Sequence, residues 1–289
     1  EWITEGQTEW DMWSCDPRRF TDYTDHEYCV ERGMEIYGHE YAMHFPWHRW
    51  PAGADRKHSP VHAKVKELGG QMGAYNGWER ANWFLPAAER AAGGEARYEY
   101  SWGRQNWFDY NAAEHRAVRE AVGFFDMSSF GKIRLVGRDA EAVLQRIAAN
   151  DVAVPVGRIV YTQFLNETGH IEADVTVTRL SPDEFLIVTP AATIRRDLHW
   201  LARHMPDDAQ AIVYDATQGE AVFLVMGPQA RDFLQPLVPQ SLANDDFPFG
   251  TMQQIEVGHA LARAHRVTYV GELGWELYVS TDMAAHVFE

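Results

Sequence analysis

Asp174 is the residue in this chain that most needs a chemical explanation. In the run Gly169-His170-Ile171-Glu172-Ala173-Asp174-Val175-Thr176-Val177-Thr178-Arg179, apolar and polar side chains alternate with the period of a β-strand. Ile171, Ala173, Val175 and Val177 are predicted on one face, and Glu172, Asp174, Thr176 and Thr178 on the other. Aspartate is disfavoured in mid-strand. Either that face meets solvent, as is common in antiparallel sheets, or the carboxylate has a chemical task.

A second segment, Arg266 to Leu277, holds Arg266, Tyr269 and Glu276 close together in sequence. A carboxylate can accept two N–H bonds from a flat heterocycle while a ring stacks on it. Gly271 and Gly274 around Glu272-Leu273 predict a tight turn between strands. The same residues suit an ordinary hairpin with a surface ion pair. A third segment, Gly77-Trp78-Glu79-Arg80-Ala81-Asn82-Trp83-Phe84, reads as an aromatic-rich loop that either touches a ligand or plugs the core.

Other chemistries find less support. His44 and His48 are four apart with Pro46 between them, and no third ligand stands at zinc spacing, so no metal is expected. There is no GxSxG, and no GxGxxG follows a strand. Cys15 and Cys29 form no CxxC and are expected to be buried, reduced thiols.

The elements that must position these residues are legible from period and punctuation. Pro60, Val61, Val65 and Leu68 before Gly69-Gly70 predict a short helix. Residues 85–97 read as a surface insertion or linker, and Asn111 with Glu114 as a capping box for a helix running to Gly123. Ile133 and Leu135 mark a strand, and Asp139 caps a helix that buries Ala140, Val143, Leu144 and Ile147. Val160–Leu165, Ile171–Leu180 and Glu184–Thr189 are separated by turn residues and predict an antiparallel meander. A helix through Ile194, Leu198 and Leu201, a strand at Ala221–Met226, a helix after Gly227-Pro228 and at least two strands in Ile255–Val279 complete the list. The fold class is α+β with mixed or antiparallel sheets. Residues 1–50 lack clean periodicity and are expected to be irregular, and no internal repeat is expected.

The bulk numbers agree with a globular protein. The 289 residues are 46% hydrophobic, enough for a sizeable core, and the net charge of -16 disfavours nucleic acid or an anionic membrane as partner. No run approaches a membrane span and no targeting signal is visible, which suits bacterial cytoplasm or mitochondrial matrix. Glu1 in place of Met, and an end within a predicted helix, suggest truncation at both ends.

Taken in order, several segments resemble the glycine-cleavage T-protein aminomethyltransferases. They are Gly77-Trp78-Glu79, Gly123-Phe124-Phe125-Asp126-Met127-Ser128 with Gly131-Lys132, Val160-Tyr161 before Asn166-Glu167-Thr168-Gly169, the Asp174 strand, Met226-Gly227-Pro228-Gln229-Ala230, and Tyr269 to Glu276. The form of several of them is closest to the folate-binding half of FAD-dependent sarcosine and dimethylglycine dehydrogenases. Residues 1–58 are similar to the tail of their FAD domain and its bridging segment, and 59–289 to their folate-binding domain.

That resemblance implies capture of the iminium or formaldehyde from oxidative N-demethylation on tetrahydrofolate, giving 5,10-methylenetetrahydrofolate. It implies a catalytic role for Asp174 and folate contacts from Tyr161, Arg266, Tyr269 and Glu276. FAD would belong only to an upstream domain of the same polypeptide. The alternatives are a folate-binding protein of the same fold without catalysis, and a direct folate-dependent demethylase.

Overall fold

The computed structural model describes residues 2–6, 12–21 and 23–289. The chain opens with α1 (Trp2–Glu5) and α2 (His26–Gly38), followed by α3 (His62–Glu67). The described part of residues 1–50 is thus more regular than expected, because Asp25 caps α2 by accepting the Tyr28 N–H at 2.8 Å. Cys15 and Cys29 are exposed rather than buried. Cys29 lies on α2, none of whose residues is buried, and Cys15 ends a single 3-10 turn.

The aromatic segment at 77–84 is a strand, not a loop. β1 (Gly70–Tyr75) and β2 (Trp78–Phe84) form an antiparallel hairpin closed by Asn76-Gly77, both with positive φ, 49° and 81°. That pair is the type I′ signature that matches strand twist. After α4 (Ala87–Ala91) comes α5 (Phe108–Glu120), which starts before the expected capping box. Asn111 lies inside the helix, and Glu114 accepts the Phe84 N–H at 2.9 Å instead of closing a cap.

Two five-stranded antiparallel sheets form the body. Their elements run β3 (Gly123–Asp126), β4 (Gly131–Val136), α6 (Ala140–Ile147), β5 (Ile159–Leu165), β6 (Ile171–Ser181), β7 (Glu184–Thr189), α7 (Ile194–His204) and β8 (Ile212–Asp215). Then come β9 (Glu220–Met226), α8 (Ala230–Leu234), β10 (Met252–Val257), β11 (Ala260–His265), β12 (Gly274–Ser280) and α9 (Ala284–Phe288). The sheet orders are β5-β6-β7-β4-β8 and β10-β11-β12-β9-β3.

These orders reveal an internal repeat that the sequence had hidden. In each half a strand (β4 or β9) leads through a glycine to a helix (α6 or α8), three meandering strands and a second helix (α7 or α9). Gly137 and Gly227 occupy the same place, both at φ 142°, and each accepts the N–H of the alanine three residues on. A Cβ at either would stand 2.2 Å from Gln210 O or 2.4 Å from Ala121 O. Beyond that glycine and alanine the halves share too little for period-reading to detect. The strand ahead of each half, β3 or β8, lies in the other half's sheet.

Packing follows the alternation. The outer face of the first sheet is covered by α6 and α7 around Phe164, Val175 and Leu201. The outer face of the second meets α3, α8 and α9 around Phe247, Trp275 and Leu277. The inner faces meet through Leu186 and Val188 on one side and Val222, Leu224, Met226 and Tyr278 on the other. Arg134 of the first sheet donates to Glu220 of the second at 3.0 Å, and Arg263 donates to the same carboxylate. Among the described residues, no helix is long and apolar enough to cross a membrane.

Candidate functional site

The inner face of the first sheet is only partly covered, and its open part carries Asp174. Ala173, Val175 and Val177 are buried as the alternation requires, while Ile171 at the strand start is exposed. Asp174 is exposed on the opposite face and pairs across β5 with Gln163, whose amide donates to Asp174 Oδ1 at 3.0 Å. Two residues along, Tyr161 pairs with Thr176, which in turn pairs with Val188 of the buried inter-sheet layer. The neighbouring Asp174 carboxylate holds the Tyr161 phenol above its ordinary pKa. Tyr161 itself is 62% exposed, so its ring is available to a ligand. An anchored carboxylate beside an accessible aromatic ring can accept a proton and stabilise a nearby cation.

Glu276 comes from the facing sheet. On β12 it pairs with Leu224 and His265, and Leu224 belongs to the inter-sheet layer. It is only 8% exposed, and its Oε2 accepts from the Tyr278 hydroxyl at 2.8 Å. Burial raises its pKa, with the Tyr278 bond working the other way. His265, fully buried against Tyr278 at 4.3 Å between ring centroids, has its pKa pushed down to about 3 by desolvation. Lys132, also on this inner face, donates to Ser128 O at 2.8 Å and is lowered to about 8 by burial.

A consequence can be measured directly. A carboxyl whose folded pKa is raised contributes stability that is fully present below its unfolded pKa and lost as pH rises through the folded value. Glu276→Gln removes that ionisation, so it is expected to stabilise the chain by on the order of 1 kcal/mol at about pH 8 and not at about pH 4. Thermal melts at the two pH values check this.

The other two expected site residues stand elsewhere. Arg266 donates to Phe247 O and, at 2.6 Å, to Asn244 Oδ1, with its guanidinium 5.7 Å from the Trp275 ring centroid. Phe247 and Trp275 belong to the core on the outer face of the second sheet, so the structure does not bring Arg266 to Asp174. Tyr269 is 82% exposed in the segment 266–273 between β11 and β12. The expected tight turn is therefore an eight-residue loop, because pairing of β11 stops at His265. Glu272 in this loop makes the surface ion pair with Arg119, at 2.5 Å.

Gln163, His265, Tyr278 and Lys132 escaped the sequence reading. Gln163 was hidden by register: counted from the Asn166–Gly169 turn, where Leu165 pairs with Ile171, it would face Ala173, and an irregularity between Phe164 and Leu165 sets it opposite Asp174 instead. The other three are polar residues in apolar strands, and without the sheet order nothing marks them as facing one layer.

Comparison with known proteins agrees with this architecture. A family model described as GCVT N-terminal domain matches residues 61–289, and one described as FAD dependent oxidoreductase central domain matches residues 5–59. The 4-methylaminobutanoate oxidase (formaldehyde-forming) of Paenarthrobacter nicotinovorans is 39% identical over 100% of this chain and 34% of its own length. Mitochondrial sarcosine dehydrogenase of Mus musculus is 32% identical over 96% of this chain and 34% of its own length. The chain thus spans about a third of the length of the curated relatives it matches. The solved glycine cleavage system aminomethyltransferase T from Bartonella henselae superposes with a TM-score of 0.62 at 22% identity, covering 80% of this chain and 56% of that one. That likeness shows a shared α+β aminomethyltransferase fold. Over residues 61–289 the chain therefore belongs to the family described as the GCVT N-terminal domain.

Proposed function

We propose that this chain is the tetrahydrofolate-dependent one-carbon transfer module of an FAD-dependent demethylating dehydrogenase. In this reading residues 1–58 close the flavin-bearing part and 59–289 form the folate-binding domain. Its reaction is capture of the one-carbon unit released from an N-methyl amine such as sarcosine or dimethylglycine. Two relatives are named as a formaldehyde-forming oxidase and a sarcosine dehydrogenase, which supports that class.

The observation that carries the reading is the open inner face, where an exposed Asp174, held by the Gln163 amide and beside the Tyr161 phenol, adjoins a polar interior. Its donor set suits a flat heterocycle. Glu276 Oε1 receives no donor among the described residues. An acceptor of this kind favours a ligand edge that carries N–H donors.

Bound tetrahydrofolate supplies the amine that takes up the carbon. Asp174 receives the proton that amine must lose, and its charge steadies the cationic one-carbon unit. Gln163 fixes the carboxylate, Tyr161 offers its exposed ring beside it, Glu276 holds the ring's N–H edge, and Tyr269 lies along the ligand from the 266–273 loop. Arg266 serves the site from behind, by anchoring the start of that loop.

Saturating tetrahydrofolate is expected to raise the melting temperature of the wild type, by about 2.7 kcal/mol of stabilisation at a hundredfold excess over Kd, and to leave Glu276→Ala nearly unmoved. An unshifted wild type would remove the reading.

A further inference from the structure

Three side chains outside the Asp174 face converge at the start of α3. Asp55 Oδ1 lies 2.8 Å from His58 Nε2 and 3.7 Å from His62 Nε2. The three possible ligand atoms all lie within 4.8 Å of one another. Around a tetrahedral ion with bonds of about 2.0–2.1 Å, neighbouring ligand atoms stand roughly 3.3 Å apart. The two distances to Asp55 bracket that value.

The two imidazoles stack almost parallel, with centroids 4.0 Å apart and planes at 9°. Both present Nε2 to the same carboxylate oxygen. His62 is only 9% exposed, and neither of its nitrogens has a hydrogen-bond partner among the described residues: Nδ1 is buried alone, and Nε2 stops 3.7 Å from Asp55. Asp55 reaches the pair from a left-handed backbone, φ 66°, pinned by its N–H to Glu79 Oε1 at 2.8 Å. Lys66 opposes a cation here and Glu79 favours one.

We propose that Asp55, His58 and His62 form a binding site for a divalent transition metal of the zinc class. Two imidazoles and one carboxylate make a facial ligand set, and the exposure of Asp55 and His58 leaves solvent to complete the coordination. Asp55 and His58 belong to the segment that matches one family and His62 to the segment that matches the other. The ion therefore pins the junction between them. No part of this depends on folate binding.

The experiment titrates Co(II) into the untagged, chelator-stripped 289-residue chain and follows its visible absorption. One equivalent is expected to bind the wild type and His48→Ala alike; the latter perturbs a separate cluster, where His44 and His48 lie 4.8 Å apart. His58→Ala and Asp55→Asn, both at exposed positions that folding tolerates, are each expected to weaken binding by at least about tenfold. Substoichiometric uptake by the wild type, loss of binding in His48→Ala, or a smaller effect in either site variant would overturn the assignment.

Discussion

Asp174→Asn is expected to slow formaldehyde capture on tetrahydrofolate, measured above the uncatalysed background, by about 10²–10⁴-fold. Asparagine keeps the size and one acceptor oxygen of the native residue, so the Gln163 amide at 3.0 Å retains its partner. What disappears is the negative charge and the capacity to take a proton. The exposed position of Asp174 makes a folding defect the wrong explanation for such a loss, and an unchanged melting temperature would establish that. Because the Tyr161 phenol feels the same carboxylate, Tyr161→Phe should show a smaller loss that Asp174→Asn does not add to. If Asp174→Asn captured formaldehyde at the wild-type rate, Asp174 would carry no catalytic role; a wild type no faster than background would make the chain a folate-binding protein without catalysis.

The second large effect is on stability in acid. His265 is buried as a neutral ring, with its pKa moved from 6.5 to about 3. A base whose folded pKa is depressed contributes stability that is fully present above its unfolded pKa and lost as pH falls through the folded one. The whole window, from about pH 6.5 to about pH 3, is worth on the order of 3–5 kcal/mol, and the part above pH 5 about 2 kcal/mol. Arg263 and Arg134 add to the effect by opposing a second positive charge. Urea unfolding at about pH 7 and about pH 5 should show that loss in the wild type. His265→Gln, less stable at neutral pH, should lose correspondingly less between the two. Equal losses in both proteins would show that other groups govern acid sensitivity.

Much of this fold was legible before any coordinates. Turn chemistry at Asn166–Gly169 and Ser181–Asp183 set the β5-β6-β7 meander, and alternation put Asp174 on the face opposite Ala173 and Val175. The exposed position of Asp174 matches the solvated reading of that strand face, and the same exposure is what a ligand-binding carboxylate requires. Long-range arrangement was not legible. The swap of β3 and β8 between sheets leaves no local signal, so neither the repeat nor the meeting of the two inner faces could be read. Arg266 shows the same limit at one residue: sequence proximity grouped it with Glu276, but it follows His265 in chain order and so turns to the opposite face, toward Phe247 and Trp275. Asp55, His58 and His62 went unnoticed because Pro60 breaks helical periodicity between the two histidines, while a left-handed Asp55 closes the group in space.

Isothermal titration of tetrahydrofolate into the 289-residue chain tests the central claim most directly. The account predicts saturable binding of one equivalent, weakened by at least about tenfold in Glu276→Ala. The absence of saturable heat from well-folded wild-type protein, or equal affinity in Glu276→Ala, would contradict it.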